Sequence, residues 1–179
     1  MILERVLSSK ILYEGRHFSF KTDVVELPNG RRTTRDIVDH PGAVAIIPIL
    51  PDGRIVLVRQ YRYAVKTDLL EIPAGTLEKG EKPLDCAFRE LREETGYEAN
   101  SMERLMSCYV APGYSSELIH FYVASALRKA ESHMELDEAI TVERIEFEQV
   151  LNMIKENIIV DAKTVVGMLA YLTCYLLKT

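Results

Sequence analysis

Apolar and polar positions alternate loosely from Lys10 to Leu27, with Phe18 and Phe20 in phase and Val24 and Val25 slipping it by one. Alternation of this kind predicts extended, half-buried chain. Pro28-Asn29-Gly30 then supplies a tight turn before Arg31–Val38, so the two runs predict a hairpin. Ala43–Leu50 and Ile55–Tyr61 are rich in β-branched and aliphatic residues and flank Pro51-Asp52-Gly53, a second hairpin signal. Leu69–Ile72 predicts a short strand ending at Pro73. Beyond a glycine-bounded loop, Pro83 stands where the first turn of a helix tolerates proline, and Leu84, Ala87, Phe88 and Leu91 recur at helical spacing until Gly96. Those four define the face this helix is expected to bury. Arg104–Val110, Leu118–Ala124 and Ile140–Ile145 predict strands, followed by helices over Phe147–Glu156 and Lys163–Leu177. Strands in runs, with one central and two terminal helices, predict an α+β or α/β sandwich in which helices cover mixed sheets.

Composition narrows the function classes. The 179 residues suit one domain with a sizeable core, and 47% hydrophobic with 27% charged residues excludes a disordered or fibrous chain. Lys and Arg total 22 against 27 Asp and Glu, a net charge of −5, which argues against a surface devoted to nucleic acid or anionic membrane. The apolar stretch Thr164–Leu177 falls short of the ~20 residues that span a bilayer, and the start lacks the basic and apolar regions of a secretory signal. A cytoplasmic location is expected. Cys86, Cys108 and Cys174 are odd in number and form no CxxC, so buried reduced thiols are expected rather than disulfides or a zinc site. His17, His40, His120 and His133 offer no ligand pair at helical spacing, and Gly113-Tyr114-Ser115-Ser116 lacks the form of a nucleophile elbow.

Chemistry concentrates in residues 75–97, GTLEKGEKPLDCAFRELREETGY. Glu90, Glu93 and Glu94 stand at i, i+3 and i+4 on one arc of the predicted helix, where like charges repel. Either cations bind there, as hard oxygen ligands suit Mg²⁺, or the arc is a solvated face with pairs such as Arg89–Glu93. A phosphate-binding P-loop fits the spacing of Gly75 and Gly80 but fails at Glu81, where lysine is needed.

Gly75, Glu81, Arg89, Glu90, Leu91, Glu93, Glu94 and Gly96 match the pattern G-x5-E-x7-R-E-U-x-E-E-x-G-U, U being bulky and apolar, and so resemble the Nudix hydrolase family. Seven fixed identities at an average usage of roughly 6–7% each meet by chance about once in 10⁸ windows. Tyr97 stands where an aliphatic residue is usual, and its ring can serve the same packing. The resemblance implies a Nudix-type α/β/α sandwich with a mixed sheet and a small N-terminal antiparallel sheet. It divides the chain into an N-terminal hairpin and dimerisation region, 1–40, and a hydrolase domain, 41–179. It also implies Glu90, Glu93 and Glu94 as ligands of Mg²⁺ or Mn²⁺, with Ala74 adding its carbonyl, while Arg89 and Glu81 hold the loop on the helix.

Outside this box, Pro112, fifteen residues past Tyr97, opens Pro112-Gly113-Tyr114-Ser115-Ser116-Glu117, which resembles the ADP-ribose pyrophosphatase branch. Arg31–Arg35, His40–Ala45, Arg59–Arg62, Glu71–Gly75 and Asp161–Thr164 are similar to that branch too. Between Arg31 and Arg62, six arginines and no lysine face three aspartates, and guanidinium forks suit phosphates. Arg62 and Arg32 are the expected phosphate contacts. The resemblance implies hydrolysis of the ADP-ribose phosphoanhydride to AMP and ribose 5-phosphate. Its general base would come from a loop ahead of a late strand: Glu138, with Glu135 in reserve. Two alternatives stay open, another nucleoside diphosphate sugar such as GDP-mannose, and a silent nucleotide-sensing module. The branch also implies a homodimer in which aromatic side chains clamp the base. With no tryptophan in the chain, Phe20 is the choice among Phe18, Phe20, Tyr13 and Tyr114.

Overall fold

In the computed structural model, residues 3–130 and 140–177 are described. The expected hairpin forms: β2 (Ser19–Glu26) pairs antiparallel with β3 (Arg32–Asp39), and Gly30, at φ +79°, donates to the Leu27 carbonyl at 2.9 Å in the turn. The run from Lys10 to Leu27 is two strands rather than one. It contains the end of β1 (Arg5–Glu14) and then β2, joined by a turn in which Gly15 N donates to the Phe18 carbonyl at 3.0 Å. A Cβ at Gly15 would stand 2.9 Å from the Tyr13 ring, so glycine permits the reversal that alternation alone hides. The three strands form one sheet in the order β1-β2-β3. Residues up to Gly42 together with Cys108–Ile119 make one compact unit, in which Val38 N donates to the Tyr114 carbonyl at 2.8 Å.

The second compact unit takes Ala43–Ser107 and the chain from His120 onward. From β4 onward the elements in order are β4 (Ala43–Pro48), β5 (Ile55–Arg62), β6 (Thr67–Glu71), β7 (Ala74–Thr76), α1 (Pro83–Thr95), β8 (Tyr97–Tyr109), β9 (Leu118–Lys129), β10 (Thr141–Ile145), α2 (Phe147–Lys155) and α3 (Ala162–Tyr171), the last residues of β8 and the first of β9 falling within the N-terminal unit. A π-helical turn, Leu172–Leu176, replaces the end of the expected C-terminal helix. Two sheets result, β10-β5-β6 and β7-β4-β9-β8.

Side chains alternate across a strand, and this sorts the core into two layers. Val44 and Ile46 of β4 and Tyr122 and Ala124 of β9 cluster with Cys86, Ala87 and Leu91 of α1. Phe121, of the opposite parity, lies against α3, where a Cβ on Gly167 would meet it at 3.3 Å and Ile72 at 3.0 Å. The sheet is therefore sandwiched between helices, an α/β/α arrangement accompanied by the small antiparallel N-terminal sheet. Sequence periodicity misplaces the inner face of α1: Leu84 and Phe88 are exposed at 42% and 39%, while Glu94 is buried at 5%. Of the cysteines, only Cys86 is buried; Cys108 is half-buried and Cys174 exposed, and all three are free.

Candidate active site

Local sequence sets up α1 as expected. Pro83 occupies its first turn, and Gly96 closes it in the left-handed conformation at φ +68°, which a Cβ would strain. The preceding loop is tied to the helix by Arg89, whose Nε and Nη2 each donate to a Glu81 oxygen at 2.9 Å. Glu81 Oε2 also accepts from Glu78 N at 3.0 Å. The Arg89 hydrogen bonds, reinforced by that backbone donor, lower the Glu81 carboxyl to about 2 against the opposing effect of burial.

The same guanidinium reaches the arc of acids. Arg89 Nη1 donates to Glu90 at 2.7 Å and to Glu93 at 3.0 Å, so the surface pair foreseen as Arg89–Glu93 exists and part of the like-charge repulsion is offset within the protein. Glu94 is turned inward, where one oxygen accepts from Ala74 N at 3.0 Å. Glu90 lies directly over Gly75: a Cβ there would fall 1.9 Å from its carboxyl carbon. The short stretch Ala74-Gly75 is thus embraced by two carboxylates from successive turns of α1. Among the described residues no three acidic, histidine or cysteine side chains stand as a ready-made metal cage. Even so, two sequestered carboxylates closing on the Ala74-Gly75 backbone are hard oxygen donors of the kind that suits a divalent cation. A cleft of about 420 Å³ is lined by Phe88, Arg89, Arg92, Glu93, Glu98 and Ala99, so that of the three acids of the arc Glu93 faces it.

Arg62, at the end of β5, is half-exposed, and Glu71 first, with a smaller contribution from Glu94, favours its charged form. Two of its nitrogens bind the buried Glu71 at 2.8 and 2.6 Å, a contact that sequence reasoning did not foresee. The signal was present: an acid inside the apolar run Leu69-Leu70-Glu71-Ile72 demands a buried cation. Arg54 and Arg59 are spent on surface pairs with Asp52 and Glu143, both at 2.6 Å. Arg32, Phe20 and Pro112 belong to the other compact unit. Arg32 is exposed with Glu26 at 3.9 Å, Phe20 is half-buried opposite Val38, and Pro112 is exposed. Glu138 and Glu135 lie outside the described residues, as does His133. His40 Nδ1 accepts from Gly42 N at 3.0 Å, and His120 contacts Ser107, so neither is poised as a ligand.

These features define a chain whose loop-and-helix box matches that of a phosphoanhydride hydrolase family. The NUDIX domain profile matches residues 39–165. The chain is 47% identical over 166 residues to a methanol dehydrogenase activator of Bacillus methanolicus, covering 92% of this chain and 90% of that one. It is 39% identical over 163 residues to an ADP-ribose pyrophosphatase of Bacillus subtilis, covering 90% and 88%. A crystal structure of an ADP compounds hydrolase superposes with a TM-score of 0.82 over 95% of this chain and 94% of the other at 24% identity, a likeness of fold. The chain belongs to the Nudix hydrolase family.

Proposed function

We propose that the chain hydrolyses the pyrophosphate of ADP-ribose to AMP and ribose 5-phosphate with Mg²⁺, Mn²⁺ serving as a substitute. The observation that carries this reading is the pair of sequestered carboxylates, Glu90 and Glu94, closed around Ala74-Gly75 inside a complete box. The name of the Bacillus subtilis relative supports the choice of substrate. Glu90, Glu93, Glu94 and the Ala74 carbonyl would hold the cation, which when bound polarises phosphoryl oxygens and makes a coordinated water more acidic. Arg62 and Arg32 would neutralise the phosphates, and Phe20 would stack on the base near Pro112. Glu138, with Glu135 in reserve, would take the proton of the water that attacks phosphorus as the bridging P–O bond breaks. A homodimer completing the nucleotide site through its N-terminal strands accompanies this reading.

A panel of nucleoside diphosphate sugars incubated with Mg²⁺, read out as nucleoside monophosphate, tests it. ADP-ribose should be turned over fastest. A preference for GDP-mannose moves the assignment to another sugar nucleotide, and silence toward the whole panel leaves a sensing module. Glu138→Gln should lower kcat ~10²–10⁴-fold; collapse on Glu135→Gln alone moves the base to that residue.

One observation favours a second reading: the Bacillus methanolicus relative, at 47% identity, is named for activating a methanol dehydrogenase. In that reading the chain raises the turnover of a dehydrogenase, and adding it to purified methanol dehydrogenase is the discriminating assay.

A further inference from the structure

Strand β6 ends in an acid where its surroundings are apolar, and Glu71 is wholly buried. A carboxylate removed from water is destabilising unless cations and hydrogen bonds replace its hydration. Here both oxygens are served. Oε1 accepts from Arg62 Nε at 2.8 Å, and Oε2 accepts from Arg62 Nη2 at 2.6 Å and from Lys163 Nζ. Lys163 also meets Asp161 at 3.0 Å. Asp161 in turn caps α3, accepting from Thr164 N at 2.9 Å and Thr164 Oγ1 at 2.6 Å, and Thr164 Oγ1 accepts from Ile72 N at 2.9 Å. The network therefore joins the end of β5, the end of β6 and the start of α3, immediately before Ala74-Gly75. Burial alone would raise the Glu71 carboxyl; Arg62 and Lys163 hold it below its usual value, so it is an anion at neutral pH.

Arg62 and Lys163 balance the two acids Glu71 and Asp161, and the mostly buried Lys163 is shared between them. Arg62 is 41% exposed and would otherwise be free to sample rotamers. A bidentate fork takes that freedom away, because two parallel hydrogen bonds fix the plane of the guanidinium as well as its position. The contact uses the Nε/Nη2 edge and leaves Nη1 outside the pair. We propose that Glu71 is a positioning residue for phosphate binding, holding the Arg62 guanidinium in one orientation toward the phosphates of a nucleotide substrate while Lys163 keeps Glu71 paired in its buried place. This rests on the reading of Arg62 as a phosphate contact and adds to it the element that orients the contact.

A double-mutant cycle on the full chain tests it, with Arg62→Ala, Glu71→Gln and the double variant. Affinity for ADP-ribose is read as KM in Mg²⁺ where the chain turns it over, and as a calorimetric Kd where it does not. Arg62→Ala and Glu71→Gln should each weaken binding roughly tenfold, the scale of coupling within one charged network, with kcat changed by less than about twofold. The double variant should bind no worse than Arg62→Ala. If Glu71→Gln fails to fold, the pair Glu71→Met/Lys163→Met, which substitutes apolar volume for the ion pair, should show the same loss of affinity and the same dependence on Arg62. Affinity unchanged by Glu71→Gln, or weakened equally in the Arg62→Ala background, overturns the proposal and leaves the proposed activity standing. A chain that binds ADP-ribose without hydrolysing it loses the proposed activity while the cycle still judges Glu71. A chain that does neither overturns both.

Discussion

Gly75 and Glu90 share a space that only one side chain can fill. An ideal Cβ on residue 75 would lie 1.9 Å from the Glu90 carboxyl carbon and from Oε1, far inside any van der Waals contact. Gly75→Ala should therefore push the Glu90 carboxylate off the Ala74-Gly75 backbone. Hydrolysis should fall at least tenfold while circular dichroism still reports a folded chain, and a Gly75→Ala variant of full activity would show that Glu90 works from elsewhere. Glu94 makes a different demand, since its inward oxygen accepts from Ala74 N. Glutamine keeps an oxygen for that bond and removes only the charge. Glu94→Gln should thus leave the melting temperature within a few degrees but lower kcat by about 100-fold or more, the loss expected where a cation's anionic partner is removed. Activity that survives both this change and a chelator would refute the metal assignment. The spacing of these residues was legible because a helix repeats every 3.6 residues. The Lys163–Glu71 contact was not, because its partners stand 92 positions apart and only folding brings them together.

At the scale of elements, α1 and its loop form one clamped unit. The clamp is the Glu81–Arg89 fork, with Glu81 only 15% exposed. Because the folded chain lowers the Glu81 carboxyl from 4.5 to about 2, the unfolded chain takes up the proton first as acid is added. The stabilisation from this pair is accordingly complete above about pH 4.5 and is lost as pH falls toward 2. Denaturant unfolding of the natural chain and of Glu81→Gln across that range should show a stability gap at pH 6 that shrinks steadily with acid; a gap independent of pH would mean the fork stabilises through shape rather than charge. The helix itself was legible in its ends, at Pro83 and Gly96, but not in its rotation. Hydrophobicity alone placed Leu84 and Phe88 inside, whereas Glu94 takes an inner position through a backbone donor on β7 that no local pattern reveals.

At the scale of the whole molecule, β1 stands at the edge of its sheet and exposes Val6, Ile11, Leu12 and Tyr13, apolar side chains on an edge strand. The proposed homodimer would cover it. Sedimentation should give a dimer at micromolar concentration, and Val6→Lys/Ile11→Lys should yield a folded monomer with a raised KM; a natural chain that sediments as a monomer at full activity removes the shared site. By itself the sequence determined the family, the box, the turns at Gly30 and Gly53 and the helix from Pro83 to Gly96, all written in short-range spacing. Tertiary structure alone decided that residues 10–27 are two strands, that Cys108–Ile119 joins the N-terminal unit, that Arg89 serves three glutamates, and that Glu71 is buried with two cations. The physical reason is the same in each case. Periodicity and turn chemistry act within a few residues, whereas burial and ion pairing depend on which distant segments the fold brings to the same place.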